Sequence, residues 1–191
     1  MRQAIIYGSE YGTTRRYAEK LAQLTGLPVM DYASARELNG IELVLYLGGL
    51  YAGGVKGLKH TVKRLPAGVK LILATVGLAD VTDPENIRSI HASVRRQLPP
   101  ALFENAALFH LRGGIDYSRL NFTHKAMMTL LYNQVRHLPE EKRTAEIRAM
   151  IDTFNQTVDF VDFASLEPVL KAFQNYHKAN EASTYEHRNG I

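Results

Sequence analysis

The sequence has no cysteine. That excludes disulfides, thiolate metal sites, cysteine-ligated iron–sulfur clusters and cysteine nucleophiles, and it is compatible with a reducing compartment. Glycine and proline are modest at 14 and 7 residues, with no period, which excludes collagen-like and low-complexity chains. Long apolar runs are missing too. The chargeless stretch from Leu43 to Val55 contains four glycines and falls short of the about 20 apolar residues that a spanning helix needs. At the N-terminus only Ala4-Ile5-Ile6-Tyr7 is apolar, so no signal peptide is expected and the protein is expected to be cytoplasmic. None of the seven histidines pairs with another histidine or a carboxylate at a metal-ligand spacing, and no metal is expected. There is no nucleophile elbow, no P-loop lysine and no dinucleotide-binding glycine pattern.

What remains is 191 residues of ordinary globular composition, 46% hydrophobic and 22% charged, with a net charge of +4. A chain of this length buries roughly 70% of its unfolded surface in one core. The positive balance permits anionic ligands or anionic lipid surfaces. The basic residues are scattered rather than gathered on an aromatic-studded face, so no nucleic-acid partner is expected.

Short apolar runs alternate with amphipathic stretches, the pattern of repeated β-α units. Strands are expected at Ala4–Tyr7, Pro28–Asp31, Leu43–Gly48, Val69–Val76 and Ala106–Leu111. Leu43–Gly48 reads as central because it is apolar on both faces. Helices are expected from about Thr14 to Leu24 and from about Val55 to Leu65. A third begins at Thr82-Asp83-Pro84-Glu85 and stops at Pro99-Pro100, and the last runs from about Leu166 to His177 with Ser165 as its cap. Between the fifth strand and the last helix lies an insertion at about 117–153, expected as two helices split by Pro139, followed by an extended piece through Val158–Val161. One domain is expected over 1–176, followed by a polar tail at 177–191.

After the first strand, Gly8-Ser9-Glu10-Tyr11-Gly12-Thr13-Thr14 leads directly into a helix. Ser9, Thr13 and Thr14 offer hydroxyl donors, Gly12 allows a tight turn, and the helix N-terminus adds positive potential. Together these make an anion site. Taken alone, the loop also reads as a plain capped turn.

The wider segment Ile5-Ile6-Tyr7-x-Ser9-x-x-Gly12-x-Thr14-x-x-x-Ala18-x-x-Leu21 resembles the flavodoxin signature at every specified position. The resemblance covers about residues 1–176. It implies an α/β fold with a doubly wound, five-stranded parallel sheet of order 2-1-3-4-5, and noncovalent FMN at the switch point of the strand order. Tyr11 stands where ordinary flavodoxins show a hydroxyl residue, and Glu10 is expected to point outward, away from a phosphate dianion. Ordinary flavodoxins are acidic and lack the insertion. In both departures the chain is similar to the flavodoxin-like branch that includes menaquinone-dependent protoporphyrinogen oxidase.

The same resemblance implies two loops around the flavin ring. Leu50-Tyr51-Ala52-Gly53 follows the third strand, with Tyr51 stacking on the ring and Gly53 letting the backbone approach its edge. Val76-Gly77-Leu78 follows the fourth, running along the pyrimidine side with Leu78 over the opposite face. Asp80 reads as the start of the turn before Thr82. Tyr117 lines the substrate side or caps the insertion's own core; the residues alone do not choose.

From Tyr117 to Pro139 no residue is acidic. Arg119, Lys125 and Arg136 accompany two apolar faces, one of Leu120, Met127, Leu131, Val135 and Leu138 and the other of Phe122, Ala126, Met128 and Tyr132. Three readings compete: packing with a homodimer contact, peripheral attachment of 117–138 to the inner face of a membrane, and a lid over a planar or isoprenoid substrate. The expected function is that of an FMN oxidoreductase with a small-molecule or quinone electron acceptor. A protoporphyrinogen dehydrogenase and a quinone reductase are the specific forms, with no catalytic side chain assigned because the flavin carries the chemistry. The alternatives are a flavodoxin-type carrier serving a redox protein partner, or an interaction protein without FMN.

Overall fold

The computed structural model describes residues 2–51 and 53–189, with side chains described as far as Glu181. Five strands form one parallel sheet: β1 (Arg2–Gly8), β2 (Val29–Asp31), β3 (Ile41–Tyr51), β5 (Lys70–Gly77) and β6 (Ala107–Arg112). Their order is β2-β1-β3-β5-β6, and every neighbouring pair is parallel. In terms of successive parallel strands this is the expected order 2-1-3-4-5. The order reverses after β1, so a crevice opens beyond the carboxyl ends of β1 and β3.

Alternation along the strands feeds two cores. On one face Ala4, Ile6, Val44, Tyr46, Leu71 and Leu73 pack against Ile90 and Val94 of α3 (Pro84–Arg95). On the other, Ile5, Leu43, Leu45, Leu47, Ile72 and Ala74 meet Tyr17, Ala18 and Leu21 of α1 (Thr13–Thr25) and Val169 of α7 (Glu167–Asn189). Asp83 caps α3, its carboxylate accepting the Glu85 N–H, with Pro84 in the first turn.

Several local expectations need correction. The helix expected at Val55–Leu65 is only α2 (Leu58–Val62). Gly53, at φ 76°, turns the chain so that β4 (Gly54–Val55) pairs antiparallel with the end of β3, placing Val55 opposite Leu50. The third helix, α3, ends at Arg95 rather than at Pro99-Pro100, and Pro100 begins another, α4 (Pro100–Asn105), because proline suits a first helical turn. Ser165 does not cap the last helix. Its hydroxyl donates to the Asp162 carbonyl inside a 3-10 turn at Phe163–Leu166, and α7 starts at Glu167. That helix continues to Asn189, so the stretch expected as a polar tail is helical as far as 189.

The insertion contains α5 (Phe122–Val135) and α6 (Ala145–Asp152), capped by Asn121 and Thr144. Its extended piece becomes β8 (Thr157–Asp159), which pairs antiparallel with β7 (Gly114–Asp116) in a separate ribbon. A third core of Ile115, Tyr117, Leu120 and Met128 holds the insertion, with Met150, Phe154 and Val158 against it. Residues from both expected α5 faces turn inward. Tyr132 stacks on Phe154 at 3.9 Å, while Phe122 and Leu130 remain 87% and 61% exposed.

Candidate functional site

Three loops meet at the carboxyl edge of the sheet, and the insertion covers them. The first begins at Gly8, where a Cβ would collide with the Lys56 carbonyl oxygen. Gly12 has φ 90° and turns the chain into α1, and its N–H donates to Ser9 Oγ at 3.1 Å. Helix α1 has no side-chain cap and no acid in its first turn. The Thr13 and Thr14 hydroxyls find no partner among the described residues, and Thr14 is buried. Free N–H groups and hydroxyls at an uncapped N-terminus are the donor set of an anion site.

Glu10 does not point outward as expected. Its carboxylate pairs with the Lys56 ammonium and, at 3.1 Å, with His124 Nε2 of α5, and it is only 15% exposed. The negative charge is thus met by a cation from the second loop and an imidazole from the insertion. Tyr11 lies beside this clasp, with its ring edge-on to Tyr51 at 6.3 Å and to His124 at 5.8 Å. Its hydroxyl is buried without a partner, and burial first, then the Tyr51 hydroxyl, pushes its pKa up to about 12.

The second loop carries Leu50 and Tyr51. Lys56 Nζ stands 5.1 Å above the Tyr51 ring, and the Tyr51 hydroxyl reaches Met127 Sδ at 3.6 Å. In the third loop, Gly77 lies against Leu50, where a Cβ would stand 2.7 Å from Leu50 Cδ1. Leu78 packs on the insertion core, and its carbonyl accepts from Arg112 at 3.1 Å. Asp80 opens the turn, accepting the Thr82 N–H and hydroxyl at 2.8 Å each. Those bonds, the backbone one first, hold its carboxyl below the usual range.

A cavity of about 200 Å³ lies between the second and third loops and the insertion. A smaller one, of about 70 Å³, lies between it and the phosphate-type loop. They share Tyr11, Leu50, Tyr51, Gly77, Leu78 and Ile115. Outside them an open groove of about 810 Å³ runs past Gly12, where Arg15, Arg16 and Arg119 are paired with Glu19, Asp159 and Asp116.

The structure therefore brings Glu10, Tyr11, Thr13, Thr14, Leu50, Tyr51, Val76, Gly77 and Leu78 around the smaller cavity, and Gly53 joins the larger one. Ser9 closes the loop's own turn instead of lining either. Ala52 lies outside the described residues. Tyr117 is buried edge-on to Phe154 at 5.4 Å, so it caps the insertion core. Arg16 of α1 ion-pairs with Asp159 of β8 at 2.7 Å. Sequence reasoning missed Lys56, His124, Asn86, His110 and Glu146, because no local spacing marks them. Burial raises the Glu146 carboxyl. Among the described residues no group of three or more metal-binding side chains gathers.

A family model described as flavodoxin domain matches residues 4–141. The chain belongs to the flavodoxin domain family. Members of this family hold a flavin, typically FMN. Among solved structures, a C101A mutant of flavodoxin from Pseudomonas aeruginosa is 23% identical. The match covers 70% of this chain and 96% of that one, with a TM-score of 0.40. Oxidised flavodoxin 1 from Bacillus cereus is 13% identical over 73% of this chain and 100% of its own, with a TM-score of 0.37. No curated protein matches. The donor set of this flavodoxin domain fits the group: an uncapped helix start with free hydroxyls suits a phosphate, and the orphaned Tyr11 hydroxyl borders the space between the ring loops.

Proposed function

We propose that this protein is an FMN-dependent oxidoreductase acting on a small, largely apolar substrate, with a quinone-type electron acceptor. FMN would supply the redox chemistry. The α1 N-terminus, Thr13 and Thr14 would hold its phosphate, and Tyr51 and Leu78 would flank its ring. The observation that carries the reading is the cavity beside those ring residues. The insertion roofs it with Met127, Met128, Leu131 and Met150. A carrier that meets a protein partner needs an open flavin edge; an apolar chamber under a lid serves a small molecule that must be desolvated. Oxidation of a protoporphyrinogen-type substrate is the finer form of this reading, and quinone reduction is its nearest relative.

The test starts with the visible spectrum of purified protein and an FMN titration of stripped protein. Thr13→Ala with Thr14→Ala is expected to weaken FMN binding without unfolding the chain. Turnover with reduced porphyrin or a quinone then identifies the substrate. Family membership favours a second reading, electron transfer to a redox protein. Potentiometry separates the two: a stable one-electron state with a very low second potential supports the carrier.

A further inference from the structure

Thr75 and His110 are register partners on β5 and β6, so both side chains meet on the face covered by α3. Thr75 Oγ1 lies 2.8 Å from His110 Nδ1, and His110 Nε2 lies 3.0 Å from His91 Nε2 on α3. Thr75 is 1% exposed, and both Thr75 and His110 line the cavity roofed by the insertion. His91 is partly exposed, and its Nδ1 has no partner among the described residues. We propose that Thr75, His110 and His91 form a proton conduit between the redox cavity and the solvent at α3. This inference rests on the proposed oxidoreductase reading, because flavin chemistry beneath a roof of apolar side chains needs a defined route for protons.

The chemistry of the three partners is what distinguishes a conduit from a structural contact. A structural histidine is usually fixed in one tautomer by a carboxylate or a backbone carbonyl. Here each group can both donate and accept: a hydroxyl, then two imidazoles. The chain can therefore run in either polarity. Burial first, and the neighbouring His91 second, lower His110 to about 4, so at neutral pH it passes protons by changing tautomer rather than by holding charge. Around the chain, Glu146 faces the same cavity, while Arg88 and Arg95 lie one turn to either side of His91 on α3.

Inward transfer balances as follows. A hydronium ion or buffer acid at the surface gives a proton to His91 Nδ1, its conjugate base staying in solvent. The His91 Nε2–H bond breaks as His110 Nε2–H forms. His110 Nδ1–H breaks as a new Thr75 Oγ1–H forms, and the original hydroxyl proton leaves to an acceptor in the cavity. One proton enters, one leaves, the chain keeps its charge, and no electron moves along it. Afterwards Thr75 donates to His110, which is the polarity that carries a proton outward. The chain returns to its starting tautomers by carrying a proton outward, so inward and outward transfers alternate, as uptake and release do over a redox cycle.

Two measurements test the conduit. In ¹⁵N-labelled protein without added flavin, the His91 and His110 ring nitrogens should show shifts averaged between both tautomers at neutral pH. Either ring locked in a single tautomer would overturn the proposal. In FMN-loaded protein, reduction by dithionite is followed in H2O and D2O. His91→Ala should slow the proton-coupled phase by about a hundredfold and enlarge its solvent isotope effect, with FMN affinity unchanged and added imidazole restoring the rate. Unchanged rates in protein that binds FMN would sink the conduit alone. If FMN does not bind, the oxidoreductase reading fails, and the tautomer measurement still decides the conduit.

Discussion

At Gly8 the backbone of β1 runs against the Lys56 carbonyl, which accepts the Tyr46 hydroxyl at 2.6 Å. The contact locks the first loop to the second from beneath the candidate site. A methyl group has no room there, and the obstacle is backbone rather than a flexible side-chain end. Gly8→Ala is therefore expected to destabilise the fold by about 1–3 kcal/mol. A thermal melt reads this as roughly 2–4 °C lost per kcal/mol at this chain length. His110 sets a second expectation. Its folded pKa of about 4 lies below the ordinary histidine value of 6.5. Acid therefore protonates the unfolded chain first. The stability associated with neutral His110 is complete above about 6.5 and is lost as the pH falls towards 4. Melts across that window should show a shallower loss for His110→Asn than for the natural chain.

At the scale of elements, the insertion is a satellite with its own small core, pinned by the β7–β8 ribbon, the Arg16–Asp159 pair and the Glu10–His124 contact. Phe154 is its central ring, stacked on Tyr132 and edge-on to Tyr117. Phe154→Ala should cost about 2 kcal/mol and raise hydrogen exchange across α5 and α6 while the parallel sheet stays protected; uniform loss of protection would contradict a satellite core. The sheet itself was legible in the sequence, because strands buried on both faces, such as Leu43–Gly48, need only a continuous apolar run. The first loop was legible as a run of donors because they are consecutive. The β4 turn was not. Val55, Leu58, Val62 and Leu65 have helical spacing, yet the left-handed Gly53 and pairing with Leu50 decide the conformation at Val55. The Glu10–Lys56–His124 clasp and the Thr75–His110–His91 chain were hidden for a related reason: parallel register and loop convergence create them between residues distant in sequence.

Over the whole molecule, a net charge of +4 is combined with an apolar surface on one side of the insertion. No described helix is long and apolar enough to cross a membrane, so any lipid contact would lie in the interface plane. Phe122 is 87% exposed and opens α5, directly after the Arg119 turn; Lys125 follows within the same helix. Basic residues around an unburied aromatic are the makings of a peripheral anchor, with electrostatic attraction bringing the surface close and apolar burial holding it there. The two contributions respond to different changes. Co-flotation with vesicles containing anionic lipid should be strong at low salt and fall as salt screens the attraction. Phe122→Ser with Leu130→Ser should weaken it by about tenfold or more even at low salt, since burying one such side chain is worth about 1.5–3 kcal/mol. Neither substitution touches the cavity, so FMN affinity should not change. Equal flotation of the natural and doubly substituted proteins would rule out this face as the anchor. No flotation of either at low salt would leave α5 as a lid alone, and a quinone would then have to reach the cavity from solution.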